Sequence, residues 1–126
     1  ASTHIKNFSP SFSHNQQDVV SSTIVRYLRD NYNKALSLKE IATQVYLSER
    51  HMSRIFKETT GMSIKQYATQ LKMDIAKQLL LNPEVSISEV AYETGYHDVR
   101  HFSTVFRQLV GVSPTRYREQ GGTHFL

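Results

Sequence analysis

One internal repeat limits what this chain can fold into more than any other feature of its sequence. Ser37-Leu38-Lys39-Glu40-Ile41-Ala42 matches Ser86-Ile87-Ser88-Glu89-Val90-Ala91 at an offset of 49 residues. Met52-Ser53-Arg54-Ile55-Phe56-Lys57 then matches Phe102-Ser103-Thr104-Val105-Phe106-Arg107 at an offset of 50, which also pairs Gly61 with Gly111, Ser63 with Ser113 and Tyr67 with Tyr117. The second copy carries one extra residue between its two matched blocks. Two copies imply one supersecondary unit used twice, since a solenoid needs at least three.

The local signals inside each copy are helical. Ser37 with Glu40, and Ser86 with Glu89, have the spacing of a capping box, in which two residues satisfy each other's orphan amides at a helix start. Short helices are expected near 38–45 and 87–94. Tyr46-Leu47-Ser48 and Gly95-Tyr96-His97-Asp98 break them, and Ser48 and Asp98 are N-caps for second helices ending before Gly61 and Gly111. Short helix, tight turn and longer helix make a helix-turn-helix.

The remaining segments fit around these two units. Residues 1–17, rich in Ser, Asn, Gln and His, read as a flexible tail or interdomain linker. Helix is expected from Asp18, with Val20, Ile24, Tyr27 and Leu28 at helical spacing. Ile64, Tyr67, Leu71, Ile75 and Leu79 keep a single face for about 18 residues, stopped by Asn82-Pro83. Ser113-Pro114 opens a last short helix from Thr115 to about Gln120. The expectation is an all-α chain of about seven helices. A first helix-turn-helix subdomain covers 18–62, a linker helix 63–82, a second subdomain 83–120 and a C-terminal tail 121–126.

The second helix of each unit has two faces. Met52, Ile55 and Phe56 share one side, opposite Arg50, Ser53, Arg54 and Lys57; Phe102, Val105, Phe106 and Leu109 share one side, opposite Arg100, Ser103, Thr104 and Arg107. The apolar sides read as core. The polar sides could be plain solvated surface, but the outward face of a helix following a tight turn is what a recognition helix offers to a major groove. Arg can contact guanine with two hydrogen bonds, and Ser and Thr are short and adaptable. Lys57 and Arg107 lie further along, where phosphates are the expected contact. Glu49 either accepts from cytosine N4 or simply places an acid at the positive end of its helix. A spacer of 18 residues spans roughly 27 Å, against about 34 Å between successive major grooves. Two recognition helices so held could enter neighbouring grooves from one side, letting a monomer read an asymmetric site.

Composition narrows the alternatives. The 126 residues contain no cysteine, which removes disulfides, thiolate zinc sites and cysteine nucleophiles and fits a reducing cytoplasm. The longest aliphatic run, Leu79-Leu80-Leu81, is too short for a membrane helix. Net charge is only +4, so the case for nucleic acid rests on where the basic residues stand. His97 and His101 at i, i+4 lack a third ligand for a metal. With no phosphate loop or nucleophile elbow, neither an enzyme nor a cofactor is expected. A helical protein-interaction module and a nonspecific architectural DNA-binding protein are the remaining rivals.

Two helix-turn-helix units about fifty residues apart resemble the DNA-binding domain of AraC/XylS-family bacterial transcription regulators. The matching residues are Ser48…Met52-Ser53-Arg54-Ile55-Phe56-Lys57…Gly61, Lys72-Met73…Ala76…Leu79-Leu80 and, most specifically, Ile87…Val90-Ala91…Gly95-Tyr96-His97-Asp98…Phe102-Ser103…Phe106-Arg107…Gly111-Val112-Ser113-Pro114…Tyr117-Arg118. The resemblance implies seven helices, recognition helices in adjacent major grooves of double-stranded DNA, and activation through contact with RNA polymerase. It implies base contacts from Glu49, Arg50, Ser53, Arg54, Val99, Arg100, Ser103 and Thr104. Phosphate contacts are assigned to Ser48, Lys57, His97 and Arg107. It also implies a missing N-terminal regulatory domain, with this fragment monomeric. Two residues depart from the family pattern. Tyr46 stands where the first turn usually has Gly, and Thr104 where a basic residue is common, which marks the second unit as the weaker base reader.

Overall fold

The computed structural model describes residues 13–122, and among these every regular element is a helix. The helices are α1 (His14–Asp30), α2 (Leu38–Val45), α3 (Glu49–Thr60), α4 (Ile64–Leu80), α5 (Ile87–Glu93), α6 (Val99–Val110) and α7 (Pro114–Glu119). The seven-helix, all-α expectation agrees with this order. Residues 1–12 and 123–126, parts of the two expected tails, lie outside the described residues.

Helix α1 starts at His14, one turn before Asp18. Ser13 accepts from the Gln16 amide (3.2 Å) while Gln16 Oε1 accepts from the Ser13 amide (2.8 Å), a closed capping box just upstream of the expected cap. The boxes expected in the repeat differ. Ser86 and Glu89 close theirs in both directions at 3.0 Å. In the first copy only the Glu40 amide reaches Ser37 (3.2 Å), because the Glu40 carboxylate instead accepts from the Tyr27 hydroxyl (3.1 Å).

Two separate cores result. Ile24 and Leu28 of α1, Ile41 and Ala42 of α2, and Met52 and Phe56 of α3 form the first, closed by Ile64 at the start of α4. Met73, Ala76 and Leu80 of α4 join Val90, Ala91, Phe102, Phe106, Val110 and Tyr117 in the second. Each large aliphatic or aromatic side chain so buried stabilises by about 1.5–3 kcal/mol.

Helix α4 serves both cores, which corrects the expectation of a single apolar face. Ile64, Tyr67, Ala68 and Leu71 pack on the first core, while Met73, Ala76 and Leu80 pack on the second. At 3.6 residues per turn the two sets point roughly 160° apart, so the subdomains lie on nearly opposite sides of the rod. The reason is visible in the repeat. Tyr67 meets Phe56 edge to face at 5.5 Å, as Tyr117 meets Phe106 at 5.7 Å fifty residues later. Ala76 and Leu80 hold their unit as Ile24 and Leu28 hold theirs. The first half of α4 is thus the closing helix of unit one, and its second half the opening helix of unit two. Seventeen residues carry these two roles over roughly 25 Å.

Candidate nucleic-acid interface

The turns set the pose of α3 and α6. Leu47 N–H donates to Ala42 O (3.2 Å), and Tyr96 N–H donates to Ala91 O (2.9 Å), the same reverse turn 49 residues apart. Tyr46 and Gly95 carry the left-handed backbone that the turn needs, at φ 58° and 90°. Tyr46 thereby projects into solvent, 91% exposed. After the turns, Ser48 Oγ accepts from the His51 amide at 3.1 Å. Asp98 caps differently, accepting from the Arg100 amide two residues on at 2.8 Å. His97 is the extra residue of the second turn and stands exposed.

The apolar faces of α3 and α6 are buried through Met52, Ile55 and Phe56 and through Phe102, Phe106 and Val110. Leu109, expected in the core, is instead 47% exposed. It overhangs the core from the last turn of α6 and borders a groove of about 460 Å³ with Lys57, Lys65 and Thr69, while Val110 takes the core position. On the opposite face of α3, Arg50, Arg54 and Lys57 are exposed at i, i+4 and i+7, with Glu49 exposed in the first turn and Ser53 half-buried beside them. On α6 the corresponding face presents exposed Arg100, Thr104 and Arg107 with half-buried Ser103. Val99, the counterpart of Glu49, leans on the second core.

Electrostatically this surface is open. Lys77 pairs with Asp74 at 3.8 Å on α4, and no such pair engages Arg50, Arg54, Lys57, Arg100 or Arg107 among the described residues. The guanidinium groups of Arg50, Arg54, Arg100 and Arg107 therefore have no carboxylate partner among them. Thr104 is less available: its hydroxyl donates to Arg100 O at 3.0 Å, leaving only lone pairs facing outward. No three His, Asp or Glu side chains converge as a metal site among the described residues. The His101 ring packs edge-on against Tyr96 at 5.4 Å.

Arg118, part of the matched family pattern, has a structural role that its place in the sequence does not show. From α7 its guanidinium donates to Leu80 O (2.8 Å), Asn82 O (3.2 Å) and Val85 O (2.5 Å), capping α4 and pinning the turn that leads into unit two. Arg116 and Arg118 share this short helix, and helical spacing gives no hint that one of them reaches a target 38 residues upstream.

Two helix-turn-helix units fused through a shared helix, each turning to solvent a basic stripe with no carboxylate partner among the described residues, have the form of a DNA-binding domain. A profile for the helix-turn-helix domain matches residues 41–120. The HTH-type transcriptional activator RhaR of Enterobacter sp. is 32% identical over 106 residues, covering 84% of this chain and 38% of that protein. An AraC-type DNA-binding transcriptional regulator from Chromobacterium violaceum superposes with a TM-score of 0.79 at 26% identity, covering 89% of this chain and 100% of that one. The DNA-binding domain of AdpA, solved with a target DNA, superposes with a TM-score of 0.73 at 25% identity, covering 79% and 90%. The chain belongs to the AraC-type helix-turn-helix family of transcription-regulator DNA-binding domains. It spans little more than a third of the length of the curated relatives it matches. No helix among the described residues is long and apolar enough to cross a membrane.

Proposed function

We propose that this chain is the DNA-reading part of a cytoplasmic bacterial transcription activator, placing α3 and α6 in two successive major grooves of one duplex. Glu49, Arg50, Ser53 and Arg54 read bases in the first groove, and Val99, Arg100, Ser103 and Thr104 in the second. Ser48, Lys57, His97 and Arg107 hold phosphates on either side. The observation that carries this reading is the stripe of Arg50, Arg54 and Lys57, exposed, without ion-pair partners among the described residues and repeated on α6 as Arg100, Thr104 and Arg107. Free guanidinium groups on a groove-sized helix are what bidentate guanine recognition requires.

The relatives are longer than this chain, which supports a further domain; we place it, as a regulatory domain, N-terminal to this one. The isolated domain binds as a monomer, because the repeat already supplies two recognition helices. Contact with RNA polymerase follows from the activator role. Selection of binding sites from random duplex DNA tests the reading. The expected result is two short conserved elements about one helical turn apart, with affinity falling linearly in log salt. Selection without a consensus would leave a nonspecific architectural binder, and no duplex binding at low salt would leave a protein-interaction module.

A further inference from the structure

The two subdomains touch outside α4 as well as through it. Gly95, in the α5–α6 turn, lies so close to the α1–α2 connection that a Cβ there would stand 3.0 Å from the Asn33 carbonyl oxygen. The next residue, Tyr96, is met from the middle of α4 by Lys72, whose Nζ sits 5.2 Å from the ring centroid. Lys72 also borders, with Asn31, Tyr32 and Lys34, a cavity of about 40 Å³ under the α1–α2 connection. Tyr96 in turn packs edge-on against Phe102 at 5.6 Å and His101 at 5.4 Å, in the first turn of α6. A continuous line of contacts therefore runs from α4 and the first subdomain, through one lysine and one aromatic ring, to the start of the second recognition helix.

Burial pushes the Lys72 ammonium below the usual lysine range, and the face of an aromatic ring is one of the few neighbours that offsets such desolvation without a counter-charge. Half-burying a lysine there is costly unless the contact is used. Helix α4 fixes the spacing of the two subdomains and the sides on which they dock, but each meets it along one face only. Two elements docked on opposite sides of α4 need a second attachment to fix their relative twist.

We propose that Lys72 is a positioning residue: through Tyr96 it locks the attitude of α6 relative to α3, and so sets the separation and rotational phase of the two half-sites that the protein accepts. This rests on the bipartite reading above. One base pair inserted between half-sites shifts the second by about 3.4 Å and turns it by roughly 35°, a displacement that a locked pair of helices cannot follow and a loose pair can.

Two measurements test it, one of them without DNA. Because the chain has no cysteine, Glu58→Cys and Gln108→Cys place spin labels at exposed positions on α3 and α6, and pulsed electron-electron resonance reads the distance between them. The distribution is expected to be narrow in the parent, broader in Lys72→Met, and narrow again in Lys72→Arg, which restores a cation over the ring. Lys72→Met keeps the aliphatic stem, and its thermal unfolding midpoint confirms that both subdomains remain folded.

On DNA, the affinity ratio between the preferred site and sites lengthened or shortened by one base pair is expected to fall by about three- to tenfold in Lys72→Met, with affinity for the preferred site changing less. An unchanged distance distribution and an unchanged ratio in Lys72→Met would overturn the positioning role and leave the bipartite reading intact. A parent protein indifferent to half-site spacing would overturn the bipartite reading itself, and with it any role in spacing.

Discussion

Tyr46 and Gly95 hold the same place in the two helix-turn-helix turns, and both carry left-handed backbone, at φ 58° and 90°. Their environments differ. Tyr46 is 91% exposed and its ring packs on nothing that would repay the strain. Gly95 lies against the backbone of Asn33, where a Cβ would stand 3.0 Å from the carbonyl oxygen. For a residue with a Cβ, left-handed backbone costs about 1–2 kcal/mol, partly offset by the extra chain entropy that glycine loses on folding. Tyr46→Gly is therefore expected to stabilise the domain by about 0.5–1 kcal/mol, raising the thermal midpoint by a few degrees. Gly95→Ala is expected to destabilise it by about 1–3 kcal/mol. Thermal or urea unfolding of both variants measures the contrast, and equal effects of one sign would contradict it.

The two proposed recognition faces are repeated but unequal. Arg54 and Thr104 occupy matched positions, yet only Arg54 offers a free guanidinium, while Thr104 spends its proton on the Arg100 carbonyl. Arg54→Ala is expected to cost about 1–3 kcal/mol on a selected site and to relax preference at one base pair. Thr104→Ala is expected to weaken the same site by less than about threefold, since it removes a single acceptor. Competition binding against single-base variants of the site separates the two. If both substitutions cost the same, the second helix reads bases as strongly as the first.

Phosphate contacts leave a different signature. Lys57 stands two turns along α3, exposed and in no ion pair among the described residues. Lys57→Ala is expected to weaken all duplex sequences alike and to reduce the slope of log affinity against log salt by about one. A loss confined to the preferred sequence, with the salt slope intact, would move Lys57 from the phosphates to the bases.

The repeat made most of the fold readable, because caps and turn residues act within four or five positions of themselves. Ser48, Asp98, Gly61 and Gly111 end or start their helices as their local chemistry dictates. What escaped were features decided by distant partners. The Glu40 carboxylate leaves its cap for Tyr27, thirteen residues away. Helix α4 shows no single stripe because it belongs to two cores, and a search for one face finds Ile75 and Leu79 while passing over Met73, Ala76 and Leu80. The exposure of Arg50, Arg54, Lys57, Arg100 and Arg107 was legible for the opposite reason: none of them has a carboxylate partner among the described residues, so helical spacing alone determines where they stand.

The closed capping box at the start of α5 makes stability sensitive to acid. The Glu89 carboxylate accepts from the Ser86 amide at 3.0 Å, and this backbone hydrogen bond, with the Ser86 side chain second, holds its pKa below the usual glutamate value. A carboxyl whose pKa is lower folded than unfolded adds stability that is fully present above the unfolded pKa, near 4.3, and is lost as pH falls through the folded value. Glu89→Gln keeps an acceptor for the Ser86 amide and removes the titration. Its unfolding midpoint is expected to change little at pH 7 and to fall less steeply than the parent's below about pH 4. Parallel thermal melts from pH 3 to pH 7 check this, and a parent and Glu89→Gln that run parallel throughout would remove Glu89 from the acid response.

Arg118 ties the end of the shared helix to the second unit through three carbonyls, at Leu80, Asn82 and Val85. Charged hydrogen bonds of this kind are each worth about 1.5–3 kcal/mol when removed, but the carbonyl at Asn82 is exposed and water can replace the donor there. Arg118→Met keeps much of the stem and loses every donor, so about 2–4 kcal/mol of stability should go with it. Lysine offers a single mobile ammonium in place of a planar fork, and Arg118→Lys is expected to recover less than half of that loss. The damage should be local. Amide exchange is expected to speed up first in α5 and α7, which pack against the end of α4, while the Ile24, Met52 and Phe56 core of unit one keeps its protection. Uniform acceleration across both units would mean that the two cores unfold as one, and that α4 transmits the loss along its whole length.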